Sequence, residues 1–206
     1  MNEGAREGED GLLRCPWGDG PADYRDYHDT EWGRPIHGDA ALFERLSLEG
    51  FQSGLSWLTI LRRREGFRSA FSGFEPVTVA AYDEADVDRL VVDERIIRHR
   101  GKIEAVIANA RALVRWQDAE GDGVLDALIW SVASPQPVPR TMADVPVETE
   151  ASRALTRELK SRGWRFIGPT SAYAALQAVG VVNDHLADCH ARVRPTRPSV
   201  DDLNRR

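Results

Sequence analysis

The chain has 206 residues, enough for one domain with a sizeable core or for two small lobes. Its 42% hydrophobic and 29% charged content is that of a folded globular protein. No stretch nears the ~18 apolar residues of a membrane span, so no membrane partner is expected. Two cysteines and an acidic N-terminus without an apolar leader core point to a reducing cytoplasm. The net charge of -6 argues against a uniformly basic nucleic-acid binder. The basic residues are nevertheless clustered, in Arg62, Arg63, Arg64 and Arg68 and again in Arg95, Arg98, Arg100 and Lys102. Each cluster is either a solvated helix face or a stripe for a phosphate backbone.

Taken in order, residues 1–13 are acidic and glycine-rich with little to bury, and a disordered extension is expected there. Asp39 caps a helix to about Gln52, with Leu42, Phe43 and Leu46 on one face. Ser56 caps the next, carrying Leu58, Leu61 and the first arginine cluster to about Phe71, before Gly73. Glu75-Pro76 opens another, and a short helix covers about Glu84 to Val92. The cleanest period is Ile103, Val106, Ile107, Ala110, Leu113 and Val114, ended by Gly121 and Gly123. A short buried helix over Leu125–Trp130 precedes a loop marked by Pro135, Pro137 and Pro139. A helix from Ala151 to Arg162 ends at Gly163, and Thr170 or Ser171 starts one reaching Val179. His185 to Cys189 adds a final turn, and 194–206 reads as a loose tail. Strand-like alternation is sparse and there is no internal repeat, so the fold class is all-α, with 14–193 as the foldable part.

Both cysteines have a histidine at metal-ligand spacing. Cys15 and His28 form a Cys-x12-His pair, and His185 and Cys189 a His-x3-Cys pair. On a helix, positions i and i+4 share a face, so the second pair could address one ion. Two thiolates and two imidazoles fill a tetrahedral zinc site with no open position. Two ordinary buried thiols, or a Cys15–Cys189 disulfide, are the alternatives, and His37 and His190 are spare ligands.

Two segments carry further chemistry. In residues 47–57 the carboxylate of Glu49 stands near a helix end, followed by Gly54 and Trp57. A buried carboxylate requires a partner, whereas an exposed one at a helix end requires nothing. Residues 95–102 place a glycine and basic side chains where a helix opens, offering free N–H groups to an anion. An ordinary inter-helix turn is the alternative. Trp17, Tyr24, Tyr27, Trp32 and Trp57 crowd the first 57 residues, as core fillers or as walls for a planar cation.

The chain resembles the type I DNA-3-methyladenine glycosylases, a repair family of the helix-hairpin-helix superfamily. The resemblance rests on Arg14-Cys15-Pro16-Trp17, on residues 27–33, on Leu48-Glu49-Gly50 with residues 54–57, on residues 96–103, and on residues 182–185 with Cys189. It implies a two-lobed helical fold with a base pocket between the lobes. It implies structural zinc on Cys15, His28, His185 and Cys189, which would join the two ends of the chain. Glu49 would read the base, Trp57 would stack on it, and Trp17, Tyr24 and Tyr27 would surround it. Gly54 and Leu55 would enter the gap left by the extruded nucleotide, and Arg98, Arg100, Gly101 and Lys102 would hold the backbone. One departure is the single glycine of this hairpin, where many superfamily members have two. The expected reaction is hydrolysis of 3-methyladenine from double-stranded DNA carrying alkylated adenine, leaving an abasic site. With only Lys102 and Lys160 as lysines, a monofunctional enzyme is expected; a monomer is expected as well. A zinc-stapled DNA-binding module without chemistry is the competing expectation.

Overall fold

The computed structural model describes residues 3–192; the tail expected at 194–206 lies outside them. The described residues form ten α-helices and one two-stranded sheet, in keeping with the helical class. In chain order the helices are α1 (Ala22–Thr30), α2 (Asp39–Gln52), α3 (Trp57–Leu61), α4 (Arg64–Ala70) and α5 (Pro76–Ala80). They continue with α6 (Glu84–Val91), α7 (Arg100–Glu120), α8 (Val124–Ser131), α9 (Glu150–Ser161) and α10 (Pro169–Ala178). No helix among the described residues is long and apolar enough to cross a membrane.

Helix α2 is the axis of the molecule. Ten of its 14 residues are buried, polar Asp39, Arg45, Ser47 and Glu49 among them, as expected of a helix enclosed by others. It packs on α3, α7, α8 and α10. Its first residue has a different role from the one its spacing suggested. Gly38 occupies the cap position, and the Asp39 carboxylate instead accepts from the backbone N–H groups of Gly123, Leu125 and Asp126 at 2.9–3.1 Å. Asp39 therefore satisfies the open N-terminus of α8, far along the chain.

Ser56 caps α3 as its sequence position predicts, accepting from Thr59 N–H at 3.2 Å. The expected single helix to Phe71 breaks at Arg62–Arg63, and α4 restarts with Phe67 against Phe51, ring centroids 4.6 Å apart. A capping box at Asp83 opens α6, and Thr149 caps α9. Pro169 rather than Thr170 or Ser171 begins α10.

Two stretches differ from expectation outright. Residues 3–14 are ordered: β1 (Arg6–Glu7) and β2 (Leu13–Arg14) pair antiparallel. Their order comes from long-range anchors. Met142 N–H donates to the Glu3 carbonyl at 2.9 Å, and buried Arg14 binds the carboxylates of Asp10 and Asp29. His185–Cys189 is not a helical turn but a bend followed by a turn closed by Cys189 N–H on the Leu186 carbonyl.

A buried carboxylate in an aromatic cleft beside a cysteine–histidine cluster

The two ends of the described chain meet. Cys15, His28, His185 and Cys189 are all buried, and their ligand atoms lie within 4.8 Å of one another. Cys189 Sγ is 3.4 Å from His185 Nδ1 and 3.6 Å from His28 Nε2, and Cys15 Sγ is 3.9 Å from His185 Nδ1. A tetrahedral ion with bonds of about 2.0–2.3 Å separates its donors by roughly 3.3–3.8 Å, so the set fits a cation. The other nitrogen of each imidazole is already engaged. His28 Nδ1 meets Asp29 Oδ1 at 2.7 Å, and His185 Nε2 meets the Trp32 carbonyl at 3.0 Å. Such outer partners fix ring orientation and leave the inner nitrogen free to ligate. Both cysteines are free thiols, so the disulfide alternative is not what the structure holds. Neither spare histidine joins the set: His190 binds Asp29 from outside, and His37 pairs with Asp126. Gly18 makes room for the cluster, since a Cβ there would meet the His28 ring at 2.4 Å.

The cluster backs a cleft. Trp17 packs edge-on against His28 with centroids 4.8 Å apart, and Trp32 against His185 at 4.6 Å. Both tryptophans also line a cleft of about 330 Å³, walled as well by Tyr24, Tyr27, Glu49 and Trp57. That volume is at the lower end of the ~300–1,000 Å³ of small-ligand sites. The far wall carries Tyr173, Gln177 and Asp184, where the Tyr173 hydroxyl and the Gln177 amide both donate to Asp184 Oδ2 at 2.5 and 2.8 Å.

Glu49 is 4% exposed and makes no hydrogen bond with a described residue. Burial pushes its pKa up to about 7, while the Arg45 guanidinium pulls the other way. Arg45 is itself buried one turn before Glu49. Its guanidinium lies 5.8 Å from the Tyr27 ring centre and 5.5 Å from that of Trp57, and it donates to the Tyr27 hydroxyl at 3.4 Å. Four sequence-predicted base contacts, Trp17, Tyr24, Tyr27 and Trp57, thus line one cleft with Glu49. Trp32 and the Tyr173–Asp184 pair in the cleft, and Arg45 against Tyr27 and Trp57, were not assigned from the sequence. Trp32 was visible in the aromatic crowding, whereas α10 and Asp184 reach the cleft only through the fold.

The polar residues expected to face DNA divide. Gly54, in a left-handed turn with φ +82°, presents Leu55 at 41% exposure. Arg98 is 54% exposed, with only a 3.7 Å contact to Glu94 among the described residues. Gly101 lies in the first turn of α7, whose cap His99 accepts from Lys102 N–H at 3.2 Å. Arg100 is drawn back to Glu84 and Asp88 at 2.7 and 2.6 Å. Lys102 does not face solvent: its ammonium donates to the Phe51 and Ser53 carbonyls at 2.9 and 2.6 Å. The first basic cluster is largely neutralised as well, by Asp23, Glu31 and Glu44.

Known proteins share this fold. The methyladenine glycosylase family profile matches residues 17–192. DNA-3-methyladenine glycosylase 1 of Escherichia coli (strain K12) is 47% identical over 181 residues, covering 86% of this chain and 96% of that protein. A crystal structure of 3-methyladenine DNA glycosylase I is 43% identical with a TM-score of 0.83, over 87% of this chain and all of that one. The Staphylococcus aureus 3-methyladenine DNA glycosylase I, solved to explain its recognition of 3-methyladenine, is 34% identical with a TM-score of 0.82 over 88% and 97% of the two chains. The family match spans the helices that wall the cleft, and on these matches the chain belongs to the methyladenine glycosylase family, among the type I DNA-3-methyladenine glycosylases.

Proposed function

We propose that the protein removes 3-methyladenine from alkylated double-stranded DNA by hydrolysing its N-glycosidic bond, leaving an abasic site. The observation that carries this is Glu49, a carboxylate enclosed by aromatic rings and without a hydrogen-bond partner among the described residues. Charging a carboxylate in such a place is costly. A base that carries positive charge while attached to its sugar offsets that cost, and neutral adenine does not. The aromatic walls stack the flipped purine, and Glu49 accepts hydrogen bonds from its edge. As the C1′–N9 bond breaks, its electron pair neutralises the departing base. A water oxygen then bonds to C1′ and its proton goes to solvent.

The reaction stops at the abasic site. No lysine lines the cleft among the described residues, and the ammonium of Lys102 is engaged by two carbonyls. In this reading the cation held by Cys15, His28, His185 and Cys189 is zinc, and it is structural, because four protein donors leave no open position. The turn between α6 and α7 serves as the hairpin of a helix-hairpin-helix element, with the cleft between two helical lobes. Arg98, the Gly101 N–H and a swung-out Arg100 supply its backbone contacts. A monomer acting in the cytoplasm completes the reading.

Single-turnover base release from methylated duplex DNA tests it. The parent should release 3-methyladenine, and Glu49→Ala should slow release about tenfold or more with metal content unchanged. A parent that binds the duplex but releases no base would make the protein a binding module instead.

A further inference from the structure

Lys102 lies at the junction of two turns. Its main-chain N–H is taken by His99, through Nδ1 at 3.2 Å and the carbonyl at 3.0 Å, within the first turn of α7. Its side chain crosses to the other end of α2. There Nζ donates to the Phe51 carbonyl at 2.9 Å and to the Ser53 carbonyl at 2.6 Å. These are open carbonyls at a helix C-terminus, where partial negative charge gathers, so a buried ammonium is held without a carboxylate. Burial also lowers the pKa of this lysine.

Beyond Ser53 the chain turns sharply. Gly54 adopts φ +82°, Leu55 N–H closes the turn on the Gln52 carbonyl at 2.7 Å, and Ser56 starts α3 with Trp57 in the cleft wall. The turn stands clear of the body: a Cβ at Gly54 would meet nothing within 4 Å. Leu55 projects from it. An exposed turn with little packing orders poorly unless something fixes its backbone. The Lys102 ammonium holds it where it leaves α2.

We propose that Lys102 is a positioning residue for nucleotide extrusion. It ties the turn of residues 53–56 to the α6–α7 hairpin, so that a hairpin seated on the DNA backbone holds Leu55 at the gap left by the damaged nucleotide. Phosphate contact at one turn and insertion at the other become one rigid event. The inference rests on the glycosylase reading above. It adds that the Lys102-to-DNA contact expected from the sequence is replaced by an internal one.

The test uses the full chain with Lys102→Met, which keeps the apolar stem and removes the donors, and Lys102→Arg, which keeps the charge. Three readouts are compared: tryptophan-detected binding of free 3-methyladenine, fluorescence of 2-aminopurine placed beside the lesion in duplex DNA, and single-turnover base release. In K102M, binding of the free base should stay within about twofold of the parent. The 2-aminopurine rise and the release rate should fall together, about tenfold or more, because the turn no longer helps to offset the cost of unstacking the base. K102R should recover part of the loss. Leu55→Ala should show the same defect, and the K102M/L55A double variant should lose little beyond either single one, since both act through one turn.

Release by K102M at the parent rate overturns the proposal, as do losses that multiply in the double variant or an equal loss of free-base binding. If K102M does not fold, the K102R/L55A cycle decides by the same criterion. A parent that releases no base would count against the glycosylase reading, not against Lys102.

Discussion

Glu49 sets a conflict between stability and activity that can be read as a pH profile. Its pKa is lifted from the ordinary 4.5 to about 7 by burial, so in the folded protein it holds its proton over a range where the unfolded chain has lost it. The folded state then binds more protons between those values, and stability falls as pH rises from about 4.5 to 7. The full cost is on the order of 3 kcal/mol, reached above pH 7. Glu49→Gln should remove this slope and raise the melting temperature most at pH 8, measured by thermal unfolding across pH. A slope unchanged in the variant would place the titration elsewhere. The same proton works against catalysis. Below about pH 7 the free enzyme carries a neutral Glu49, and kcat/KM for release should fall on the acid side. The enzyme should thus be most active where this residue makes it least stable.

At the scale of elements, the α6–α7 hairpin is predicted to divide its duties unequally. Arg98 has a loose 3.7 Å contact to Glu94, whereas Arg100 is held by Glu84 and Asp88. Arg98→Ala should lower the slope of log affinity against log salt by about one, as for one lost phosphate contact. Arg100→Ala should change the slope less, because the parent must first break two surface ion pairs. Equal slopes for parent and Arg98→Ala would remove Arg98 from the interface. The sequence made much of this architecture legible. The bounds of α2, the apolar stripe of α7 and the Ser56 cap are local signals, and they appear where spacing puts them. What was hidden depends on distant partners. Asp39 reads as a cap for its own helix but closes α8. The hairpin of residues 3–14 has no apolar period of its own and is ordered by Asp29 and Met142. Lys102 reads as surface charge because no rule of spacing places the α2 carbonyls beside it. In the site, the pairing of cysteines with histidines and the crowd of aromatics were visible, while the α10 wall was not.

On the scale of the whole molecule, the cysteine–histidine cluster and the cleft form one unit. The rings of His28 and His185 are the back support of Trp17 and Trp32. Cys189→Ser should therefore lower metal content, melting temperature and affinity for free 3-methyladenine together. Metal analysis, thermal unfolding and base titration on the same sample check this. Base affinity at the parent level in a metal-free variant would uncouple cluster from cleft. The four donors also come from opposite ends, with Cys15 and His28 near one and His185 and Cys189 near the other. During synthesis the first two ligands leave the ribosome long before the last two. The α2–α8 core already has all its partners by then, but the back wall of the cleft does not. A nascent chain can fold its helices without acquiring the ability to excise a base, and that ability arrives only when nearly the last described residue has emerged.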